Sequence, residues 1–157
     1  MTFLMPSLPT RHVFVYGTLR RGEQRDINFL TPAPRWLGSA SVEGVLYDLG
    51  EYPGLVLGRE PVPGQSKVKG DVYEIASGLE PLLDQIEGLL PEPNGEYAKR
   101  HVRVHLESLE PLLAGNDRAM ALPLTCLVYE VTPGRVAGCP VIQGGDWVAF
   151  RLAREGA

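Results

Sequence analysis

The sequence predicts an α+β domain, a small mixed but mostly antiparallel β-barrel carrying one or two helices. Three observations predict it. Short apolar segments rich in β-branched residues recur along the chain. Clusters of Gly, Pro and Asn separate them, which favours turns over crossover helices. Only residues 23–30 and 78–90 read as helices, so the helical material decorates a sheet instead of alternating with its strands.

Taken in order, residues 1–11 carry two prolines and no periodicity and are read as an N-terminal tail, leaving residues 12–157 as one domain. Strand signals follow at 12–16 (HVFVY), 40–49 (ASVEGVLYDL), 54–57, 67–75 (KVKGDVYEI), 97–106, 125–131 and 146–152. The first helix candidate, 23–30, is short. The second is stronger: Leu79, Leu82, Leu83, Ile86, Leu89 and Leu90 line one face. Ser77 is its expected N-cap, with Glu80 completing a capping-box pattern and Pro81 in the first turn. Pro91, Pro93, Asn94 and Gly95 are expected to end it. Residues 108–123 have weak strand character and contain Gly115-Asn116-Asp117, so they are read as a loop or a short helix.

Composition narrows the function classes. The 157 residues are 44% apolar, enough to close one core. With 22% charged residues and a net charge of −4 there is no global field to attract nucleic acid or an anionic membrane. A small neutral or zwitterionic ligand fits better. No apolar stretch approaches the about 20 residues that span a bilayer, and residues 1–11 lack the hydrophobic centre of a leader, so the expected location is the cytoplasm. Cys126 and Cys139 are read as reduced packing thiols, because two cysteines in a chain of this size make no disulfide framework. His12, His101 and His105 show no zinc-type spacing, and HVRVHLE alternates as a strand does, so no metal site is expected.

Two stretches can carry chemistry. The apolar run Val13 to Tyr16 stops at Gly17-Thr18, and a strand ending in such a turn leaves N–H groups free to bind carboxylate or amide oxygens. Glycine at a strand end also serves simply to relieve backbone strain. Asp84 and Glu87 are two acids one turn apart flanking the apolar helix stripe. Beside such a face a carboxylate is desolvated and its pKa rises toward the range of a general base. Taken on the helix alone, a solvated surface charge is the simpler reading of Glu87. Asp84 would be its orienting, repelling partner, or would bond locally to backbone. Arg20 can pair bidentately with a ligand carboxylate, or be a solvated loop charge. Tyr47, Tyr52, Tyr73, Tyr97 and Tyr129 can offer hydroxyls to a pocket, or fill the core with the OH at its edge. No G-x-S-x-G elbow or phosphate loop is present, and the glycine-rich residues 134–145 lack the strand-then-helix setting of a dinucleotide site.

Six motifs in register give the chain a family resemblance: VYGTLRRG at 15–22 with Asn28 following, GVLYDLGEYPG at 44–54, VKGDVYEI at 68–75, LLDQIEG at 82–88, EYAKRHVRV at 96–104 and LVYEV at 127–131. The chain resembles the γ-glutamylcyclotransferase-like proteins, in particular their short branch of avirulence-induced and γ-glutamylamine cyclotransferase types. The resemblance implies that the YGTL-type turn, Tyr16, Gly17, Thr18 and Leu19, lines a substrate cavity, and that the glutamate of the LDxxEG-type segment, Glu87, is a general acid/base. It further implies release of a γ-glutamyl group as 5-oxoproline without a cofactor, the partner being a small γ-glutamyl substrate. Arg20, Tyr52 and Tyr129 are the accompanying substrate-binding candidates. The proline-rich LLPEPNGEY and residues 114–123 are where members of the family differ, and they are expected to border the cavity mouth. A non-catalytic binding barrel is the competing reading, and amide hydrolysis through the same glutamate is a third.

Overall fold

The computed structural model describes residues 10–58, 67–90, 92–108 and 123–156. Among these residues six strands are found: β1 (Thr10–Val15), β2 (Arg35–Asp48), β3 (Pro53–Leu57), β4 (Lys67–Ala76), β5 (Tyr97–Ser108) and β6 (Pro123–Val131). They run in the order β3-β2-β4-β1-β6-β5, and a further pairing of β2 with β5 closes five of them into a barrel, with β3 paired outside on β2. Every pairing is antiparallel except β1 with β6, which is parallel. The mixed, mostly antiparallel barrel predicted from the alternating segments is therefore present.

Closure explains the burial pattern. A cluster containing Phe14, Val42, Leu46, Leu55, Val72, Val104 and Val128 draws on all six strands. The neighbouring β1 residues Val13 and Val15 point the other way, into a second cluster with Leu19, Ile27, Leu79, Leu83, Tyr97 and Tyr129. Strand β1 is thus buried on both sides, which is why it reads as a continuous apolar run. One end of the first cluster is filled by Ile142 and Trp147.

Five expectations are corrected. Residues 146–152 are not a strand: Trp147–Glu155 form a helix, α2, because the Asp146 side chain accepts from Ala149 N–H as an N-cap and Arg151 pairs with Glu155 one turn on. Residues 23–30 form only a 3₁₀ turn over Ile27–Phe29, capped by Asp26. The helix expected over 78–90 is shorter: a 3₁₀ turn at Ser77–Leu79 leads into α1 (Glu80–Ile86), which stops at Glu87 because Gly88 turns to φ +79° before the prolines are reached. Ser77 makes no capping hydrogen bond, and Glu80 is taken instead by Lys99 and Arg11. Of the expected tail, Thr10 and Arg11 belong to β1, paired with Ala76 and Ile75; residues 1–9 and 109–122 lie outside the described part.

Candidate active site

Strand β1 runs out at Val15, and the chain then folds back on itself. Arg20 N–H bonds Gly17 O at 3.0 Å, Arg25 N–H bonds Thr18 O at 2.8 Å and Ile27 N–H bonds Leu19 O at 2.8 Å. The carbonyls of this turn are thereby used, whereas the N–H groups of Gly17, Thr18 and Leu19 donate to no group among the described residues. Gly17 sits against β3: a Cβ there would lie 2.7 Å from Pro53 Cγ, so the turn reaches this position only as glycine.

Helix α1 delivers Glu87 to the same place. Its N–H bonds Leu83 O at 2.9 Å, closing the last turn, and its side chain leaves the helix end toward the β1 turn. Arg25 donates to Ile86 O at 3.2 Å, placing a cation on the carbonyl end of α1. Between these elements lies a cavity of about 300 Å³, lined on one side by Tyr16, Gly17, Thr18 and Leu19, and on others by Arg25, Glu87, Tyr52, Glu96 and Tyr97. Burial pushes the Glu87 carboxyl up to about 7; Arg25 pulls it down and Glu96 pushes it up. No donor among the described residues bonds that carboxylate.

Asp84 is not the repelling partner expected from the sequence. It accepts from Tyr129 Oη at 2.7 Å and from Lys99 Nζ at 2.9 Å, so its charge is compensated away from the cavity lining and it fastens α1 to β5 and β6. The second acid that acts on Glu87 is Glu96, at the start of the β5 segment, which accepts from Tyr52 Oη at 2.5 Å.

The tyrosine hydroxyls are likewise engaged. Tyr16 Oη donates to Tyr129 O at 2.6 Å and accepts from Leu55 N–H, while Tyr97 Oη donates to Pro53 O at 2.8 Å. Burial raises the pKa of both phenols, and Glu87 nearby raises them further, so they stay neutral. Of the residues singled out in the sequence, Tyr16, Gly17, Thr18, Leu19, Tyr52, Glu87, Tyr97 and Tyr129 meet around the cavity, whereas Tyr47 and Tyr73 do not line it. Arg20 does not line it: its guanidinium lies between Asp71 and Asp146, at 3.0 Å from each. Arg25, Asn94 and Glu96 line it without having been singled out as site residues. Glu96 and Tyr97 open the EYAKRHVRV motif, a signal within reach; Arg25 sits in a polar loop whose pattern carries none.

Among the described residues no group of three or more His, Cys, Asp or Glu side chains is placed to hold a metal ion. His101 and His105 lie on strand β5, as the alternation predicted. Cys126 and Cys139 are both free.

Residues 13–149 match the model of the family described as gamma-glutamyl cyclotransferase, AIG2-like. The chain belongs to this family. The relative YtfP of Escherichia coli K12, named a gamma-glutamylcyclotransferase family protein, is 30% identical over 137 residues, covering 87% of this chain and 95% of its own. Its counterpart in Citrobacter rodentium is 36% identical over the same length. Among solved structures, an AIG2-like protein from Mus musculus superposes with a TM-score of 0.63 at 23% identity, covering 85% of this chain and 86% of its own, and so shares the family fold. The solution structure of E. coli ytfP matches with a TM-score of 0.52 at 28% identity, over 87% of this chain and 95% of that one. Membership points to γ-glutamylcyclotransferase-like enzymes, and no helix among the described residues is long and apolar enough to cross a membrane.

Proposed function

We propose that the chain cyclises a γ-glutamyl group to 5-oxoproline with release of an amine or amino acid, and that Glu87 is the general acid/base. The observation that carries this reading is the placement of Glu87, a carboxyl pushed up to about 7, in a cavity it shares with Arg25 and with Gly17, Thr18 and Leu19, whose N–H groups have no partner among the described residues. A carboxyl with that pKa is divided between its two protonation states near neutral pH, as a group that must first take and then give a proton requires.

The steps balance with this one group. Glu87 as carboxylate takes a proton from the substrate's α-ammonium. The freed amine attacks the γ-carbonyl carbon, and the carbonyl oxygen becomes an oxyanion that the turn N–H groups stabilise. The Glu87 carboxyl gives its proton to the leaving nitrogen as the bond from that carbon to it breaks, and the Glu87 carboxylate then takes the second hydrogen from the new ring nitrogen and passes it to the released amine, which departs as ammonium and leaves Glu87 as it began. No water is consumed, and nucleophile and electrophile belong to one molecule, so the main demand on the cavity is to hold the chain folded. Arg25, the cation in the wall, is the group suited to the substrate's α-carboxylate. Tyr52 and Tyr129, with hydroxyls already bonded to Glu96 and Asp84, offer the substrate ring surface.

The test is to incubate the protein and its Glu87→Gln variant with a panel of γ-glutamyl amines and γ-glutamyl amino acids and to quantify 5-oxoproline and glutamate by mass spectrometry. 5-Oxoproline from the parent alone supports the reading and identifies the leaving group. Glutamate would replace cyclisation with hydrolysis, and no product from any compound would overturn the enzymatic reading.

A further inference from the structure

We infer that helix α2 sets the geometry of the substrate turn, and that Glu23 is the positioning residue through which it acts. The inference rests on the reading of Gly17, Thr18 and Leu19 as substrate-binding.

Glu23 lies in the chain segment that follows those three residues, and its side chain is only 2% exposed. Three donors hold it, all from α2: Trp147 Nε1 at 3.0 Å, Arg151 Nε at 2.7 Å and Arg151 Nη2 at 2.6 Å. Trp147 is itself buried in the barrel core and has the Arg154 guanidinium over its ring, so the helix side of this contact is anchored. A second contact repeats the arrangement. Arg20 joins Asp71 of β4 to Asp146, the residue that caps α2.

These contacts reach the cavity through backbone. Glu23 N–H bonds Arg20 O at 3.0 Å, Arg20 N–H bonds Gly17 O at 3.0 Å and Arg25 N–H bonds Thr18 O at 2.8 Å, so Glu23, the free N–H groups and the Arg25 cation belong to one hydrogen-bonded piece of chain. Thr18 stands at the boundary. It lines the substrate cavity on one side and, on the other, a cleft shared with Glu23, Trp147 and Arg151. A buried ion pair is a poor source of net stability compared with apolar packing, because desolvation offsets the attraction, but its bidentate geometry fixes orientation closely. That is the property a turn of unpartnered amides needs, since a misplacement of about 1 Å costs up to about a hundredfold in rate.

The experiment compares Glu23→Gln and Arg151→Lys with the parent, using amide NMR of Gly17, Thr18 and Leu19 during titration with a γ-glutamyl amine, together with kcat, KM and thermal melting. Arg35→Gln, which breaks the exposed ion pair with Glu74, is the control. The expected result is that both variants fold, their turn amides move or broaden in the free protein, and kcat/KM falls about tenfold or more, chiefly through kcat, while the pH profile keeps its limb near 7 and the control changes nothing. Unaltered turn amides and kcat/KM in folded variants would overturn the inference, and so would loss of folding in both, which would make the contact a folding device. If the parent's own turn amides fail to respond to the γ-glutamyl amine, the substrate reading of the turn fails first, and the two failures are told apart.

Discussion

The Tyr129 hydroxyl donates to Asp84 Oδ1 at 2.7 Å, across the seam between strand β6 and helix α1 and one turn ahead of Glu87. Both groups are buried, and Lys99 completes the set by bonding the other Asp84 oxygen. Removing the hydroxyl by Tyr129→Phe leaves a buried carboxylate oxygen without its donor, at a cost of about 1–3 kcal/mol. The expected outcome is a fall in melting temperature of several degrees with only a modest loss of turnover, because Asp84 touches no reacting atom. Calorimetric melting checks it, and an unchanged melting temperature would mean that Lys99 alone satisfies Asp84.

Replacing Glu87 by Gln keeps the size and removes the proton carrier. Loss of a general acid/base lowers the rate by about 10² to 10⁴. Stability should move the opposite way. The folded-state pKa of Glu87 lies at about 7, above its ordinary 4.5, so the protein favours the protonated form. The stability this contributes is fully present below about 4.5 and is lost as the pH rises through about 7. Melting curves across that window should therefore show the parent losing stability relative to Glu87→Gln as pH increases. Parallel curves for the two proteins would remove the raised pKa and with it the argument for this base.

How much of this was open to reading from the sequence depends on what each residue answers to. The strands were legible because β-branched alternation answers to the pleat itself, and the YGTL turn and Glu87 were legible through motifs. Residues 146–152 misled because Trp147, Val148 and Phe150 look like strand material, while the decisive events are a local cap from Asp146 and the side-chain pairs of Arg151 with Glu23 and Glu155. Glu23 likewise carried a helical pattern in sequence but is drawn out of it by a partner 128 positions away. Arg20 and Arg25 lie in the same basic loop and look alike; only the tertiary placement of Asp71 and Asp146 assigns the first to the scaffold and leaves the second facing the cavity.

Arg25→Gln should therefore do two separable things. The guanidinium holds the Glu87 pKa down, so its removal lets that pKa climb further above 7 and moves the acid limb of kcat/KM to higher pH. If the same guanidinium also binds the substrate's α-carboxylate, its loss costs about 1.5–3 kcal/mol of binding, or about 10- to 100-fold in KM. A full pH profile resolves both effects. A shifted limb with unchanged KM would keep the electrostatic role and move the substrate carboxylate to the turn amides.

Gly88→Ala probes whether the placement of Glu87 depends on the turn that follows it. Gly88 has φ +79°, a conformation that costs an L-residue about 1 kcal/mol or more, and an added Cβ would sit 2.2 Å from Asn94 Nδ2. Asn94 N–H bonds Gly88 O at 2.9 Å and the Asn94 Oδ1 accepts from Glu96 N–H at 2.9 Å, so relieving the clash by turning the Asn94 side chain gives up the bond to Glu96. Asn94 and Glu96 both line the cavity, and Gly88 is the residue after the proposed base. The expected outcome is a loss of about 1–3 kcal/mol in stability, from strain and the forced shift together, accompanied by a drop in kcat larger than the change in KM, since the base moves while the β1 turn and Arg25 stay in place. Steady-state kinetics on the folded variant checks this. Normal kcat with reduced stability would show that the helix end holds Glu87 by itself, through the bond from its N–H to Leu83 O.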